Sequence, residues 1–293
     1  MYSIIKPVST DYNTNIRILE DLTKEFPFLD TEIQGRSALG RGIFSFSIGN
    51  MKKASLLAGG FHGTDSMSSL LLMLFTERLC HCVKYGTQMC GADIKRALSQ
   101  VGITIIPCLN PDGREIAVKG FGSAKRMRNY LSDISPEGYG KWRANAFGVD
   151  IDRNFSRGWS ECRQEEYETY KAVPSASGYC GERAESEAET KALTRLCRMR
   201  SFTRSMSLSA GKNELRRHSG DNTPAVGTMM GKILADSAAC IFREGAENAS
   251  FCRWFGEEFS RPAFSLSTDL RSPAELYGTY ERMEEALVLF LMF

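Results

Sequence analysis

Strand-like and helix-like segments alternate along this chain, and that alternation restricts its fold more than any other feature. The segment KASLLAGGF (53–61) is an apolar run that ends in glycines, which is typical of a buried strand. The segment 66–83 follows at once, with apolar residues at helical spacing. DIKRALSQ and ITIIPCL (103–109) repeat the unit as a helix followed by a strand. The pattern predicts an α/β fold with a largely parallel or mixed sheet.

Two later segments are also predicted to be strands, RSMSLSA (204–210) and PAFSLSTD (262–269). In the second, Phe264 and Leu266 share one face because side chains alternate along a strand. Four short polar segments stand where predicted strands end: FHGTDS, NPDG, LSAG and STD. Ligands of open α/β sheets bind beyond the carboxyl ends of the strands, so a functional site is expected there. In NPDG itself, Pro and Gly indicate a turn with a structural role.

A long segment rich in Gly, Ser, Arg and Tyr lies between the strand at 103–109 and residue 186. Loops of this length in a compact domain are usually functional or disordered, and the Trp and Gly residues along it favour a functional loop. The helix predicted next begins with Ser186 and Glu189 three residues apart, which is the spacing of a capping box. No repeat or linker divides the chain, so a single domain over 1–293 is predicted.

The charge balance gives no indication of a nucleic acid or an anionic membrane as partner. The chain has 37 Lys and Arg against 35 Asp and Glu, a net charge of +2. The first residues lack the apolar stretch of a signal peptide, and no segment approaches the roughly 20 apolar residues of a membrane span. The C-terminal ALVLFLMF is expected to be the core-facing end of a last helix.

The chain has nine cysteines, an odd number, and no two of them form a C-x-x-C motif. A chain of this size does not need disulfides, so reduced thiols and a cytoplasmic location are expected. Cys80 and Cys82 flank His81, but residues two apart on a helix point to different faces. Apolar thiols near a helix end are therefore favoured over a metal site.

FHGTDS is the strongest metal-binding pattern in the chain. His62 and Asp65 are three residues apart, directly after a predicted strand, and both side chains can ligate zinc. Two protein ligands do not hold zinc alone, because catalytic zinc sites use three and leave a fourth position for water. The remaining ligand has to come from another strand end.

Six segments in order resemble the zinc metallocarboxypeptidases across nearly the whole chain, most closely the bacterial branch associated with γ-D-glutamyl-diaminopimelate cell-wall peptides. The segments are IQGRSALGRGIFSFSIG, GGFHGTDS, PCLNPDGRE, KWRANAFGVDIDRNF, GYCGERAESEAETKAL and CRWFGEEFSRPAFSLS. The resemblance implies a mixed, twisted sheet of about eight strands flanked by helices. It also implies a zinc held by His, Glu and a second His, a glutamate general base, and arginines for the oxyanion and the substrate carboxylate.

When the family's three zinc-ligand positions are matched to this chain, the set of ligands is incomplete. His62 matches the first ligand, and Asp65 replaces the family's Glu with a side chain one methylene shorter. Leu208 occupies the position of the second His and cannot coordinate zinc. His218, in LRRHSGDN, is the only imidazole nearby, and a solvated histidine is favoured over a substitute ligand.

The catalytic and substrate-binding positions are changed in part. Ser267 occupies the general-base position, and a lone serine hydroxyl does not titrate near neutral pH. Asp269 lies ~6–7 Å further along the strand, too far to replace that base in an unshifted register. Arg143 matches the oxyanion arginine and Arg153 the carboxylate-binding arginine. Asp152 stands where the family has an Asn beside this arginine. Arg153 is therefore expected either to pair with a neighbouring acid or to bind a ligand.

Two functions remain open from the sequence. Four of the six matched positions differ from the family, which favours a pseudopeptidase that at most binds peptide or carboxylate ligands, with zinc weakly bound or absent. The alternative is an active zinc metallocarboxypeptidase that uses a substitute ligand and base. The expected partner in either case is a peptide or cell-wall peptide fragment with a free carboxylate.

Overall fold

An eight-stranded mixed sheet forms the centre of the computed structural model, which describes residues 3–169, 171–218, 224–270 and 272–293. The strands are β1 Asp30–Arg36, β2 Gly42–Gly49, β3 Ala54–Ala58, β4 Gln88–Met89, β5 Ala92–Asp93, β6 Gly102–Ile106, β7 Ser205–Ala210, β8 Glu214–Arg217, β9 Ile241–Glu244 and β10 Ala263–Thr268. In space the strands of the large sheet run in the order β1-β2-β6-β3-β7-β10-β8-β9, and β6, β3, β7 and β10 are parallel neighbours. A separate small hairpin joins β4 to β5.

Helices cover both faces of this sheet, ten of them α-helical within the described residues. The helices are α1 Tyr12–Glu25, α2 Ser66–Tyr85, α3 Ile94–Gln100, α4 Pro111–Lys119, α5 Arg128–Ile134, α6 Trp159–Glu168, α7 Ala188–Met199, α8 Pro224–Ser237, α9 Phe251–Phe259 and α10 Leu276–Met292. One apolar layer packs α1, α2, α3, α8 and α10 on the sheet, and a second packs α7 and α9 on the opposite face. None of the described helices combines the length and apolar composition needed to cross a lipid bilayer.

The predicted α/β class and the sheet of about eight strands are both confirmed. The apolar run before FHGTDS is β3, whose five residues are all buried, and the next apolar segment is α2. Phe264 and Leu266 of β10 lie together in the larger core, as their shared face predicts. The C-terminal apolar run is the end of α10, and most of its side chains are buried.

The predicted capping box at Ser186 and Glu189 is wrong. The helix α7 begins at Ala188, its N-cap is Glu187, and no side chain caps it. The Ser186 hydroxyl donates to the Glu187 carboxylate instead. Glu189 is fully buried, so its side chain points into the protein and cannot reach back over the helix end.

The loops that follow β3 and β6 are tied together at the carboxyl edge of the sheet. Asn110 caps α4 by accepting from Gly113 N at 2.8 Å, and its amide donates to the carbonyls of Phe61 and Arg143 at 3.0 and 3.3 Å. At Gly63 a Cβ would stand 2.3 Å from the Gly113 carbonyl oxygen, so only glycine fits this crossing. NPDG therefore acts structurally, as its turn residues predict, and it holds the neighbouring loops in position.

Candidate active site

Two adjoining cavities of about 310 and 200 Å³ open at the carboxyl edge of the parallel strands. They share four lining residues, His62, Arg143, Asp152 and Glu247. The larger cavity extends along the ends of β7 and β10, and the smaller one extends toward Arg153. The sequence-predicted residues His62, Arg143, Asp152, Arg153 and Ser267 therefore line one continuous cleft.

His62 lies buried between a cation and an anion. Its Nε2 is 2.9 Å from Arg143 Nη2 and 3.1 Å from Asp150 Oδ1. A guanidinium only donates hydrogen bonds. An unprotonated Nε2 of His62 therefore accepts from Arg143, whereas a protonated Nε2 donates to Asp150. Burial by itself would lower the pKa of His62, but the charge of Asp150 and its hydrogen bond raise it. The other ring nitrogen, Nδ1, is buried and has no hydrogen-bond partner, so it is the ring atom that could bind a metal.

Asp150 is a functional candidate that sequence reasoning did not identify. Its Oδ2 accepts from Gly178 N at 3.1 Å and lies 4.0 Å from Arg143 Nε. Burial opposes ionisation, yet His62, Arg143 and the Gly178 N–H hold the pKa of this carboxyl well below its usual range. A carboxylate on one ring nitrogen orients a histidine and leaves the other nitrogen for a ligand. The sequence signal was available in VDIDRNF, where Asp150 stands two residues before Asp152 and three before Arg153.

Asp65 acts as the cap of α2. Its Oδ1 accepts from Ser68 N at 3.0 Å, and its Oδ2 accepts from Ser68 Oγ at 2.8 Å and from Ala210 N at 3.0 Å. The residue is only 3% exposed, so these three donors take the place of water. Both carboxylate oxygens are thus already engaged by the protein.

Leu208 offers no donor atom and is fully buried in the larger core cluster. Leu208 pairs with Leu266 of β10, and the next pair along the two strands is Ser209 with Ser267, both of which line the larger cavity. The Ser267 hydroxyl donates to the Lys212 carbonyl and lies 3.3 Å from the Glu214 carbonyl. Hydrogen bonds to neutral carbonyls supply no base, so Ser267 cannot take a proton from a water molecule.

The two side chains considered as substitutes are engaged elsewhere. His218 Nε2 is 3.1 Å from the carboxylate of Glu257 on α9. Asp269 forms an ion pair with Arg282 at 2.6 Å. Neither residue lines either cavity of the cleft. The geometry therefore gives no support to recruitment of a new ligand or base at these positions.

The donor set does not fit a zinc site with three protein ligands. Among the described residues, a close group of three His, Cys, Asp or Glu ligand atoms occurs at Cys162, Glu166 and Cys180, and neither His62 nor Asp65 belongs to such a group. His62 Nδ1 has no hydrogen-bond partner and could bind a metal. Asp65, however, accepts hydrogen bonds as a helix cap, and Leu208 has no atom that could ligate a metal. No catalytic step through a metal follows from these residues.

The anion-binding positions are better preserved. Arg143 keeps 41% of its side chain exposed at the cleft while it contacts His62. Asp152 accepts from Phe251 N at 3.0 Å, and burial raises its pKa to about 6. Arg153 pairs with Glu165 at 3.0 Å, and its Nε is buried without a partner. Arg153 thus forms an ion pair and also lines the smaller cavity.

A family model described as zinc carboxypeptidase matches residues 16–235. Gamma-D-glutamyl-L-diamino acid endopeptidase 1 of Lysinibacillus sphaericus is 22% identical over 285 residues, covering 96% of this chain and 71% of the relative.

Two solved structures have the same fold. Bovine thrombin-activatable fibrinolysis inhibitor, in complex with tick carboxypeptidase inhibitor, gives a TM-score of 0.77 at 14% identity over 97% of both chains. Murein-tripeptide amidase MpaA of Escherichia coli O157 gives 0.55 at 19% identity, over 87% of this chain and 91% of the other.

Proposed function

The chain belongs to the zinc carboxypeptidase family, and from that premise we propose that it is a pseudopeptidase. It keeps the fold and an anion-binding cleft of the family, and it has lost most or all of the metal-dependent hydrolysis. Zinc is expected to bind weakly or not at all.

The hydrogen bonding of Asp65 is the observation that carries this proposal. A zinc ligand needs a free lone pair directed at the metal, whereas Asp65 uses three of the roughly four lone-pair positions of its carboxylate to accept from Ser68 N, Ser68 Oγ and Ala210 N. Leu208 has no ligand atom, so Nδ1 of His62 is the one ligand atom left at the three positions that hold zinc in the family. The loss of a positioned general base alone forfeits about 10²–10⁴ in rate, and Ser267 stands at that position.

The cations of the cleft support binding of a carboxylate. Arg143, Arg153 and His62 line the two cavities, and the pKa of His62 is raised, which favours its cationic form. An arginine binds a carboxylate through two parallel hydrogen bonds. The similar proteins include a gamma-D-glutamyl-L-diamino acid endopeptidase and a murein-tripeptide amidase. We take a peptide or cell-wall peptide fragment with a free carboxylate as the ligand class, and a cytoplasmic location fits the nine free cysteines.

Zinc content tests the catalytic half of the proposal. Protein purified without chelator is expected to carry well under one zinc per chain by elemental analysis. It is also expected to leave γ-D-glutamyl-diaminopimelate peptides and C-terminal residues uncleaved. One zinc per chain, with turnover that disappears in His62→Ala, would instead establish an active metallopeptidase.

Calorimetric titration with the dipeptide γ-D-glutamyl-meso-diaminopimelate tests the binding half. We expect Arg153→Gln to weaken binding about 10- to 100-fold, because a charge-assisted hydrogen-bond pair contributes about 1.5–3 kcal/mol. Arg157→Gln is the matched control, since Arg157 pairs with Glu258 and lines neither cavity. Equal effects of the two variants, or no binding by the unaltered protein, would refute a carboxylate site at Arg153.

A further inference from the structure

Two carboxylates of the cleft form no ion pair with any residue that the structure describes. Asp152 and Glu247 line both cavities. Asp152 Oδ1 accepts from Phe251 N at 3.0 Å, and its Oδ2 accepts from no described donor. The Glu247 carboxylate likewise has no described hydrogen-bond partner. Both acids therefore keep oxygens that can accept hydrogen bonds from a ligand where the two cavities adjoin.

The third acid of the cleft is different, because the protein already balances its charge. Asp150 Oδ1 lies 3.1 Å from His62 Nε2, and its Oδ2 lies 4.0 Å from Arg143 Nε. The cations beside His62 thus face Asp150. The unpaired negative charge of the cleft belongs to Asp152 and Glu247.

A cation with unused donors stands beside these unpaired acids. Arg153 follows Asp152 in the chain and lines the smaller cavity. Its Nη2 donates to Glu165 at 3.0 Å, and its Nε has no partner. A guanidinium has five N–H donors, so the pairing with Glu165 leaves donors for a ligand carboxylate. The smaller cavity therefore combines donors for a carboxylate with acceptors for a cationic group.

We propose that this part of the cleft recognises a carboxylate and an ammonium group carried by the same carbon, as at the free end of an amino acid, and that Asp152 determines this specificity. The inference rests on the proposed carboxylate-binding function and narrows its ligand class. An ammonium has three donors and no acceptor, so it suits two carboxylates with free oxygens. A ligand with a carboxylate alone would meet two unpaired acids beside Arg153, and like charges in contact disfavour binding.

A metal ion matches these acids less well than an ammonium group. In the described ranges, neither Asp152 nor Glu247 belongs to a close group of three His, Cys, Asp or Glu ligand atoms. Arg143 and Arg153 line the same cavity, and their positive charge repels a metal ion. A ligand that carries both an ammonium and a carboxylate satisfies the acids and Arg153 together and brings no net charge into the cleft.

Two dipeptides that differ by one ammonium group test the specificity. In γ-D-glutamyl-meso-diaminopimelate the free end carries an ammonium and a carboxylate on one carbon, whereas γ-D-glutamyl-L-2-aminopimelate carries the carboxylate alone. Calorimetric titration at pH 7.5 should show about 10- to 100-fold tighter binding of the first dipeptide, the range of a charge-assisted hydrogen-bond interaction. Asp152 is ionised at this pH, since its pKa is about 6.

Asp152→Asn is the central variant, because asparagine keeps an oxygen that can accept from Phe251 N and loses the charge. The diaminopimelate dipeptide should bind about 10- to 100-fold more weakly, whereas the aminopimelate dipeptide should bind at least as tightly as it does to the unaltered protein. Glu247→Gln should reduce the preference in the same direction. Glu161→Gln is the matched control and should keep the full preference, since Glu161 pairs with Arg253 at 3.3 Å and lines neither cavity.

The ratio of the two affinities separates recognition from a structural role. Equal weakening of both dipeptides in Asp152→Asn would show that Asp152 only holds Phe251 and the start of α9, and it would overturn the inference. Equal affinities of the unaltered protein for the two dipeptides would also overturn it, while the carboxylate site at Arg153 would stand. Binding of neither dipeptide would refute the carboxylate site and the inference together.

Discussion

The role of Asp65 as a helix cap can be measured as stability. In Asp65→Ala the N-terminus of α2 loses its cap, which typically costs about 0.5–2 kcal/mol. The N–H of Ala210 also loses its acceptor, and an unsatisfied donor costs about 1–3 kcal/mol where it stays out of water. We expect the free energy of unfolding to fall by about 2–4 kcal/mol, measured by urea denaturation at equilibrium.

Asp93→Ala is the matched control for this measurement. Asp93 caps α3 through one hydrogen bond from Arg96 N at 3.0 Å, and it is exposed. Its loss should cost about 1 kcal/mol, near the middle of the range for surface caps. The reasoning is refuted if Asp65→Ala unfolds like the unaltered protein while its zinc content drops, because Asp65 would then be a ligand and not a cap.

Two further predictions concern buried side chains. Burial raises the pKa of Glu189 to about 8, so the stability that its protonated form provides is lost as pH rises from about 4.5 to about 8. Glu189→Gln should therefore gain on the order of a few kcal/mol over the unaltered protein between pH 5 and pH 8 in urea unfolding. The exposed Glu20→Gln should not, and parallel pH profiles of the two variants would contradict this. Phe264→Ala should cost about 3–5 kcal/mol because Phe264 is fully buried, whereas the exposed Phe293→Ala should cost under about 1 kcal/mol by the same measurement.

The fold could be predicted because its signals are local. The segment of β3 is apolar at every position except Ser55, which suits a parallel strand covered on both faces, and α2 follows with helical spacing. Ser186 and Glu189 show the limit of such signals. Their spacing matched a capping box, but the tertiary structure buries Glu189 and the helix begins without a side-chain cap.

The site could be predicted only as far as a family pattern names its positions. The pattern placed His62, Arg143 and Arg153 in one cleft, and the structure brings them together. It did not identify Asp150, whose Oδ1 lies 3.1 Å from His62 Nε2. These two residues are far apart in the sequence and meet only because the whole fold brings their loops together, so no spacing rule connects them.

The shortened acid at position 65 connects the proposed loss of metal to the stability of the fold. A buried carboxylate without a metal is costly unless donors replace the ion. Aspartate is among the preferred helix caps and accepts from backbone N–H groups within its own first turn. Asp65 accepts from one such N–H, that of Ser68, and also from the Ser68 hydroxyl and from Ala210 N, so the buried charge is satisfied inside the protein. Asp65 therefore needs no metal ion, and this is the condition under which the proposed loss of zinc leaves the fold around the cleft stable.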